Sequence, residues 1–317
     1  MGSIRAVFVV AALTAACRAP ATLEVVHDFD AYPSASGIEC LGDRLYVIGD
    51  DAPSVLVLDD AFAQHGSIPL YPDGAARPPS PSGLGERRMP KETKPDLEAA
   101  TFTAAGHLLL MGSGSLAPHR NVAWLVDPRA GQASSLALEV FFARLAVAGI
   151  GDVNLEGAAA SSTAIVLANR GHHASPRNHL VITSEDFWFH QDSAPLSVIE
   201  ITAPTPPGQF SGISGLAYSR DRDRLWLTFS TEDTTNAVDD GAIGRSYLGV
   251  VDGFSAKAKT AAIAVDRLID LDATDRRFSG HKVESVCVLR EARESTILAL
   301  AADDDDGGST LFRVRTP

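Results

Sequence analysis

The sequence predicts an all-β fold: a single five-bladed β-propeller in which an N-terminal strand closes the last blade. Three observations predict it. A pair of apolar strands headed by a Glu or Ser recurs five times, a third and usually a fourth strand follow each pair, and the last repeat lacks a fourth strand. A period of a few tens of residues with four strands in each repeat is typical of propellers.

The head of each repeat carries one polar residue in front of small and apolar residues. The five stretches are SGIECLGDRLYVIGDD with Glu39, KPDLEAATFTAAGHLLLMGSGS with Glu98, VNLEGAAASSTAIVLANRG with Glu156, SGISGLAYSRDRDRLWLTFSTED with Ser214, and KVESVCVLREARESTILALAADDDD with Glu284. Each stretch predicts a strand, a turn, a second strand and a polar exit.

The remaining strands complete four repeats and leave the fifth one short. Third strands begin at Ser54, Asn121, Asn178, Ser246 and Ser309, and fourth strands begin at Gly66, Gly131, Leu196 and Lys259. Residues 21–29, ATLEVVHDF, alternate apolar and polar side chains ahead of the first repeat. We expect this segment to pair with the last repeat, because closing the ring removes long exposed strand edges. A β-sandwich is the alternative, but it does not explain the polar residue at the head of every repeat.

The connections predict a loop and two helical segments. Residues 72–95 are rich in Pro, Gly and Arg, which predicts a loop. Apolar residues within 138–145 recur at helical spacing and predict a short helix on a blade edge, and residues 265–280 allow another helical turn. The aromatic run at 187–189 is either a contact patch or a group that packs on a neighbouring blade.

The composition excludes two classes of function. The 317 residues carry a formal net charge of −13 and a pI near 5.1, whereas nucleic-acid binding needs a basic surface. No stretch beyond the N-terminus is long and apolar enough to span a bilayer. We therefore expect no nucleic-acid partner and no membrane-spanning segment.

The N-terminus predicts export. Arg5 precedes an apolar run that ends in small residues, which is the order found in secretory signal peptides. The chain then divides into a signal peptide at 1–16 and a propeller at 17–317.

The end of that run, LTAAC, resembles the lipobox of bacterial lipoproteins, although Thr14 stands where such boxes usually have a larger aliphatic residue. The resemblance implies a lipid on Cys17, and Arg18 after it implies the outer membrane. Plain cleavage near Ala16, which would give a periplasmic protein, is the alternative.

Cys40 and Cys287 fall in the first strands of two repeats that adjoin where the ring closes. An oxidising compartment would permit a disulfide between them. Neighbouring inner strands splay, however, and a disulfide needs Cβ atoms about 4 Å apart. We therefore predict two free, buried thiols that face away from the channel.

The head residues predict a metal site. The first strand of each blade lines the channel of a propeller, so one level should gather Glu39, Glu98, Glu156, Ser214 and Glu284. Carboxylates this close repel each other, and a hard cation relieves the repulsion. Ca²⁺ takes six to eight oxygen ligands, whereas Zn²⁺ is disfavoured because no Cys or His recurs at this level. Hydrogen bonds to backbone amides or water are the alternative role, and Lys94 and Lys282 could offset some of the charge.

The strand ends predict a polar rim on the same face. Arg120, Arg177 and Arg245 precede third strands at a recurring position, which suits a phosphate or carboxylate ligand. The other rim residues singled out are Asp50, Arg170, His172 and His173. One of the histidines could act as a general base beside a second metal. Alternatively, the arginines pair with acidic residues of neighbouring blades.

These features resemble known propeller families. One Glu or Ser per blade around a central Ca²⁺ is similar to calcium-activated nucleotidases (apyrases), and LEGAA and GDRLYVIGDD resemble esterase-like phytase propellers. The order KPDLEA, GSGS, RN, NLEGAA and STED, over most of 21–317, resembles a bacterial propeller family of unknown function. The nucleotidase resemblance implies only the ring residues, because that family's substrate-binding loops have no counterpart that can be placed here.

Two function classes follow. The first is an exported envelope lipoprotein with Ca²⁺ in its channel and a small anionic ligand or an envelope protein at its rim. The second is a metal-dependent phosphoester or ester hydrolase acting at the rim.

Overall fold

The computed structural model of the chain describes residues 20–29, 32–50, 52–71, 91–161, 163–204, 209–232, 236, 241–304 and 307–317. The predicted signal peptide, Cys17 and most of the predicted loop at 72–95 lie outside these ranges. Within them, no helix has the length and apolar character needed to cross a bilayer.

The strands form five sheets, and each sheet is one blade of a propeller. Blade 1 contains β2 (Ala35–Leu41), β3 (Arg44–Gly49), β4 (Ser54–Asp59) and β5 (Gln64–Pro69). Blade 2 contains β6 (Leu97–Phe102), β7 (Leu108–Gly112), β8 (Val122–Asp127) and β9 (Gln132–Ala137). Blade 3 contains β10 (Leu155–Ala160), β11 (Ile165–Asn169), β12 (Asn178–Thr183) and β13 (Ser197–Thr202).

Blade 4 differs from the prediction at its outer edge. It contains β14 (Ser211–Ser219), β15 (Arg224–Glu232), β16 (Ile243–Asp252) and β18 (Arg267–Asp270). The segment from Lys259, predicted as its fourth strand, instead forms β17 (Ala262–Ala264), which pairs in parallel with β13 of blade 3. Ile263 is buried in the apolar core between these two blades, which explains why the segment crosses over.

The predicted ring closure is confirmed. Blade 5 contains β19 (Lys282–Ala292), β20 (Ser295–Asp303), β21 (Ser309–Thr316) and, outermost, β1 (Thr22–Asp28). β1 pairs antiparallel with β21, from Thr22 opposite Arg315 to Asp28 opposite Thr310. The first and last parts of the described chain therefore share one blade.

The five inner strands, β2, β6, β10, β14 and β19, each contact the next one around the ring, and so they line a central channel. The strands approach closely: a Cβ added to Gly157 would lie 2.9 Å from the backbone of Gly215 in the next blade. The apolar core consists of five clusters, each between two adjacent blades. Because apolar side chains fill the space between blades, the polar side chains of the inner strands lie in the channel or at its two ends.

The helical segments pack against blade edges. The predicted helix is α1 (Glu139–Val147), which buries Phe141, Phe142 and Leu145. The segment within 265–280 contains α3 (Leu271–Thr274) and a 3₁₀ turn, Arg276–Phe278, and the remaining helix is α2 (Phe254–Lys257).

The aromatic run forms a 3₁₀ turn, Phe187–Phe189, that is mostly a packing element. The ring of Phe187 lies 4.4 Å from that of Phe141, between ring centroids. Phe189 is exposed.

The prediction of two free thiols is wrong. Cys40 in β2 and Cys287 in β19 form a disulfide, with Cα atoms 5.6 Å apart, which is within the usual range for a disulfide. Cys287 is buried, as predicted, but Cys40 is only partly buried. The prediction failed because the inner strands of blades 5 and 1 pack directly against each other where the ring closes.

Candidate functional site

The five inner strands share a β-bulge at the same point, close to where each begins. The register shifts between Ala35 and Gly37, Leu97 and Ala99, Leu155 and Gly157, Ile213 and Gly215, and Val283 and Ser285. The extra residues are Ser36, Glu98, Glu156, Ser214 and Glu284. A bulge leaves its extra residue outside the ladder and re-aims its side chain, so this position is where the propeller presents side chains to the channel.

Three of the five bulge residues are glutamates that meet in the channel. The carboxylate of Glu98 feels the charges of Glu156 and Glu284, together with those of Asp96 and Asp50. We call Asp50, Asp96, Glu98, Glu156 and Glu284 the acidic cluster. The structure therefore brings together three of the predicted ring residues and Asp50, a predicted rim residue, and it adds Asp96, which the sequence did not single out.

Glu39 is not part of this cluster, so its predicted register is wrong by three residues. Glu39 lies opposite Tyr46 in the β2–β3 pairing, whereas the bulge of β2 is at Ser36. The signal that would have found the register is the dipeptide Ser36-Gly37, which matches Ser214-Gly215 of blade 4. The prediction followed the shared residue type, Glu, instead of the small residue that follows each bulge.

The two bulge serines support the cluster through the backbone. The Ser214 hydroxyl donates to the Val283 carbonyl of blade 5, at 2.8 Å. The Ser36 hydroxyl donates to the Ser34 carbonyl and accepts from the Asp50 amide, at 3.1 Å. Blade 1 thus supplies its carboxylate from the end of β3, through Asp50, instead of from its bulge.

Burial raises the pKa of two glutamates of the cluster, Glu98 and Glu284. The pKa of Glu98 is well above its ordinary value, first because of burial and then because of the neighbouring carboxylates. The pKa of Glu284 is raised to about 8, again mainly by burial, although Lys282 and Arg170 oppose the rise. Ionising the carboxyl groups of the cluster therefore costs free energy in the folded protein.

Basic side chains offset part of this charge. Lys94 forms ion pairs with Asp50 and with Asp96, the latter at 3.2 Å, and Lys282 lies 2.9 Å from Glu284. The expectation that Lys94 and Lys282 neutralise carboxylates is thus met.

Arg170 enters the channel instead of facing the rim. Its guanidinium lies 3.6 Å from Glu156 and 3.9 Å from Glu284. Its side chain crosses Gly212 of blade 4, where an added Cβ would lie 2.4 Å from Nε. Arg170 therefore provides a positive charge next to the blade whose bulge residue is the neutral Ser214.

The three recurring arginines do not form one anion site. Arg120 is buried and donates hydrogen bonds to Asp96, at 2.6 Å, and to Ser115. It therefore holds one carboxylate of the acidic cluster in position. Arg245 is exposed and donates to Asp270 of its own blade at 2.5 Å. Both arginines neutralise carboxylates of their own blades, which corrects the predicted arrangement. Arg177 is exposed and, within the described residues, forms no ion pair, so the anion prediction now rests on it alone.

The two histidines differ in setting. His172 is buried, and its Nε2 lies 3.2 Å from Oδ2 of Asp152. His173 is exposed and its ring lies beside Phe210. Asp152 therefore orients the His172 ring, whereas Nδ1 of the same ring is buried without a hydrogen-bond partner.

Part of the acidic cluster has the geometry of a cation site. Oxygen atoms of Asp50, Asp96 and Glu98 lie within 4.8 Å of one another. Ca²⁺ binds its oxygen ligands at about 2.3–2.6 Å, so oxygens up to about 5 Å apart can contact the same ion. Oδ1 of Asp50 is buried without a hydrogen-bond partner, and an ion at this point would satisfy it.

Residues 31–316 match the family of unknown function DUF6929. The chain belongs to this family. No curated protein sequence matches it. The family assignment agrees with the predicted resemblance to a propeller family of unknown function, whereas the resemblances to nucleotidases and phytases remain predictions.

Solved structures resemble this DUF6929 member only distantly. Virginiamycin B lyase from Staphylococcus aureus is 10% identical, with a TM-score of 0.42 over 94% of this chain and 99% of that one. A chain of the mitotic checkpoint complex is 9% identical, with a TM-score of 0.39 over 99% and 98%. The N-terminal domain of Nup159 is 7% identical, with a TM-score of 0.39 over 94% and 96%. Likenesses at this level bear on neither activity nor ligand.

Proposed function

We propose that this protein is an exported propeller of the bacterial envelope whose channel binds one Ca²⁺ ion at the acidic cluster. The observation that carries the proposal is the setting of Glu98. Its carboxylate faces the four other carboxylates of the cluster, and in the described part of the chain no ion pair involves it. Glu98 must therefore either take up a proton or share a cation.

The charges around Glu98 favour a cation. The cluster contains five carboxylates, and among the described residues the basic side chains that contact it are Lys94, Arg120, Arg170 and Lys282. Asp303 adds a further negative charge beside Glu284. With all of these described groups ionised, the negative charges outnumber the positive ones, and a bound cation lowers the cost of holding them together.

Oxygen chemistry and blade geometry favour Ca²⁺ at Asp50, Asp96 and Glu98. These side chains come from blades 1 and 2, whereas Arg170 and Lys282 contact the glutamates of blades 3 and 5. On the side of blades 1 and 2, Lys94 is the main competing cation, since its ammonium contacts two of the three proposed ligands, whereas Arg120 contacts only Asp96. Ca²⁺ would bind by displacing this ammonium, and carbonyls or waters would complete its coordination.

Calorimetric titration of chelator-treated protein with CaCl₂ tests this proposal. We expect one saturable site in the natural protein and at least about tenfold weaker binding in Glu98→Gln, which keeps the side-chain shape but loses a charged ligand. Lys94→Met should bind Ca²⁺ more tightly because it removes the competing ammonium. Glu294→Gln, at an exposed hairpin position, serves as the matched control. Absence of saturable binding, or equal binding in Glu98→Gln, would refute the proposal.

Export and lipidation are supported by two separate features. The N-terminal sequence resembles a lipoprotein signal ending at Cys17, and the Cys40–Cys287 disulfide is of a kind found mainly in oxidising compartments. In a Gram-negative host we expect the protein in the membrane fraction and Cys17→Ser in the soluble periplasmic fraction. Recovery of both from the membrane, or of both from the periplasm, would contradict lipidation at Cys17.

Metal-dependent hydrolysis of phosphoesters or esters is the second candidate function, and the buried His172–Asp152 pair favours it. p-Nitrophenyl phosphate and p-nitrophenyl acetate, each with and without Ca²⁺, are suitable first substrates. Turnover that requires Ca²⁺ and disappears in His172→Gln would support this function. Turnover unchanged in that variant would show that His172 takes no part in the reaction.

A further inference from the structure

The channel has a cavity at the end opposite the acidic cluster. Its volume is about 280 Å³, which is close to the lower size limit of small-molecule sites, about 300 Å³. All five inner strands contribute to its lining, through Glu39, Thr101, Ala160, Ala217 and Val288 among others. It is therefore an axial site of the propeller, in contrast to a crevice between two blades.

Glu39, which the sequence assigned to the central ring, is the carboxyl group that an inner strand contributes to this cavity. Its Oε1 accepts from the Cys40 amide at 2.9 Å, and the Thr101 hydroxyl and the Phe102 amide lie near enough to favour its charged form. Thr101 accepts from the Ala160 amide through the same hydroxyl oxygen, at 2.8 Å, so its proton is free to be donated to Glu39. These contacts fix the orientation of the carboxyl group.

The wall of the cavity is held by a covalent bond. Cys40 lines the cavity, and its disulfide to Cys287 joins the inner strands of blades 1 and 5. A site whose wall is fixed in advance loses less entropy on binding. The carboxyl group and the disulfide together are features of a preformed site.

The lining indicates the chemistry of the ligand. Alanine and valine side chains form an apolar wall, and Phe102 and Tyr218 add aromatic rings. Glu39 and Glu185 are acidic, and Arg220 is the one basic residue among the described lining residues. A carboxylate or phosphate ligand would meet two carboxyl groups here, whereas an ammonium group would meet carboxylates and aromatic faces, both of which attract cations.

We propose that this cavity binds a small organic amine, with its ammonium group on Glu39 and its apolar part against the alanine wall. Burial raises the pKa of Glu39 to about 7, so the carboxyl group becomes fully charged only above neutral pH. The other titratable groups that face the cavity are Glu185, Arg220 and Tyr218, whose hydroxyl donates to Asp223. Amine binding should therefore strengthen between pH 6 and pH 8.

Titration calorimetry with benzylamine, in the presence of a chelator, tests the proposal. Benzyl alcohol and benzoate are its neutral and anionic counterparts. We expect saturable binding of benzylamine, binding of benzyl alcohol at least about tenfold weaker, as expected for loss of a charge-assisted hydrogen bond, and no binding of benzoate. The absence of saturable benzylamine binding, or equal binding of benzyl alcohol, would overturn the proposal.

Two variants assign the binding to this cavity. Glu39→Gln should weaken benzylamine binding at least about tenfold and abolish its pH dependence, while the exposed control Glu294→Gln should not change it. Ala104→Trp places a large side chain at an exposed position of the lining and should block binding even if Glu39→Gln fails to fold. Unchanged binding in Ala104→Trp would overturn the assignment. Because the assay contains a chelator, its outcome is independent of Ca²⁺ binding at the acidic cluster.

Discussion

At the scale of single residues, Glu98 sets the chemistry of the acidic cluster. It is a bulge residue with a raised pKa, and the carboxylates around it contribute to the rise. In the absence of metal, Glu98→Gln should stabilise the protein by roughly 1 to 3 kcal/mol, because it removes a carboxylate whose charged form is disfavoured by burial and by the neighbouring carboxylates. Chemical denaturation with a chelator measures this effect, and a destabilised variant would show that Glu98 is instead a structural hydrogen-bond acceptor.

The pH dependence of stability has a definite sign. The pKa of Glu284 is about 8 in the folded protein and near 4.5 in a free side chain, so the folded state binds this proton more tightly than the unfolded state does. The metal-free protein should therefore lose stability as the pH rises from about 4.5 to about 8. The difference in unfolding free energy between the natural protein and Glu284→Gln should change across this window, and a constant difference would contradict the raised pKa.

A glycine makes room for the cationic part of the cluster. The side chain of Arg170 occupies the space beside Gly212 where a Cβ would lie. Gly212→Ala should displace the guanidinium from Glu156 and Glu284 and destabilise the protein by roughly 1 to 3 kcal/mol, because packing and ion pairs are lost together. Thermal unfolding of Gly212→Ala, with Gly66→Ala as a control at a position with open space, measures the cost. Equal melting temperatures for the two variants would contradict the role assigned to Gly212.

At the scale of elements, the sequence predicted the strands better than their register. The alternation of apolar residues and the turns between them marked four strands per blade, and the helical spacing within 138–145 marked α1, because these patterns follow from burial of one face. A bulge shifts the alternation by one residue and leaves no mark in the composition, so Glu39 was aligned by residue type. The parallel pairing of β17 with β13 was also missed. β17 is only three residues long, and so short a strand has no sequence pattern that shows which blade it joins.

The disulfide is the element-level feature with the clearest test. Cys40 and Cys287 are 247 residues apart, and the pairing of β1 with β21 already closes the same ring. Replacing both cysteines by alanine should therefore cost about 2 to 4 kcal/mol, the typical value for a native disulfide, and the fold should survive. Denaturant titration of the double variant beside the oxidised protein measures the loss. Equal midpoints would show that the ring stays closed without any contribution from the disulfide.

At the scale of the whole molecule, the propeller fold explains why one chain has an acidic cluster and a cavity on the same axis. Each inner strand presents its bulge residue near its start, and its later residues line the opposite end. The number of blades and their closure by β1 were predictable, because the repeat and the unpaired strand are both visible in the sequence. Which polar residues lie at which end of the channel was not predictable, since this depends on contacts between blades that are far apart in the chain.

Anomalous diffraction from crystals grown with CaCl₂ tests the central claim most directly. We predict one strong anomalous peak in the channel, with Asp50, Asp96 and Glu98 as ligands and the Lys94 ammonium displaced from Asp50. Ion binding in solution would then stabilise the fold by about 2.7 kcal/mol at a Ca²⁺ concentration 100 times the dissociation constant. A map without a peak at the acidic cluster, with Lys94 still paired to Asp50 and Asp96, would contradict the claim and leave the cluster as a set of internal ion pairs.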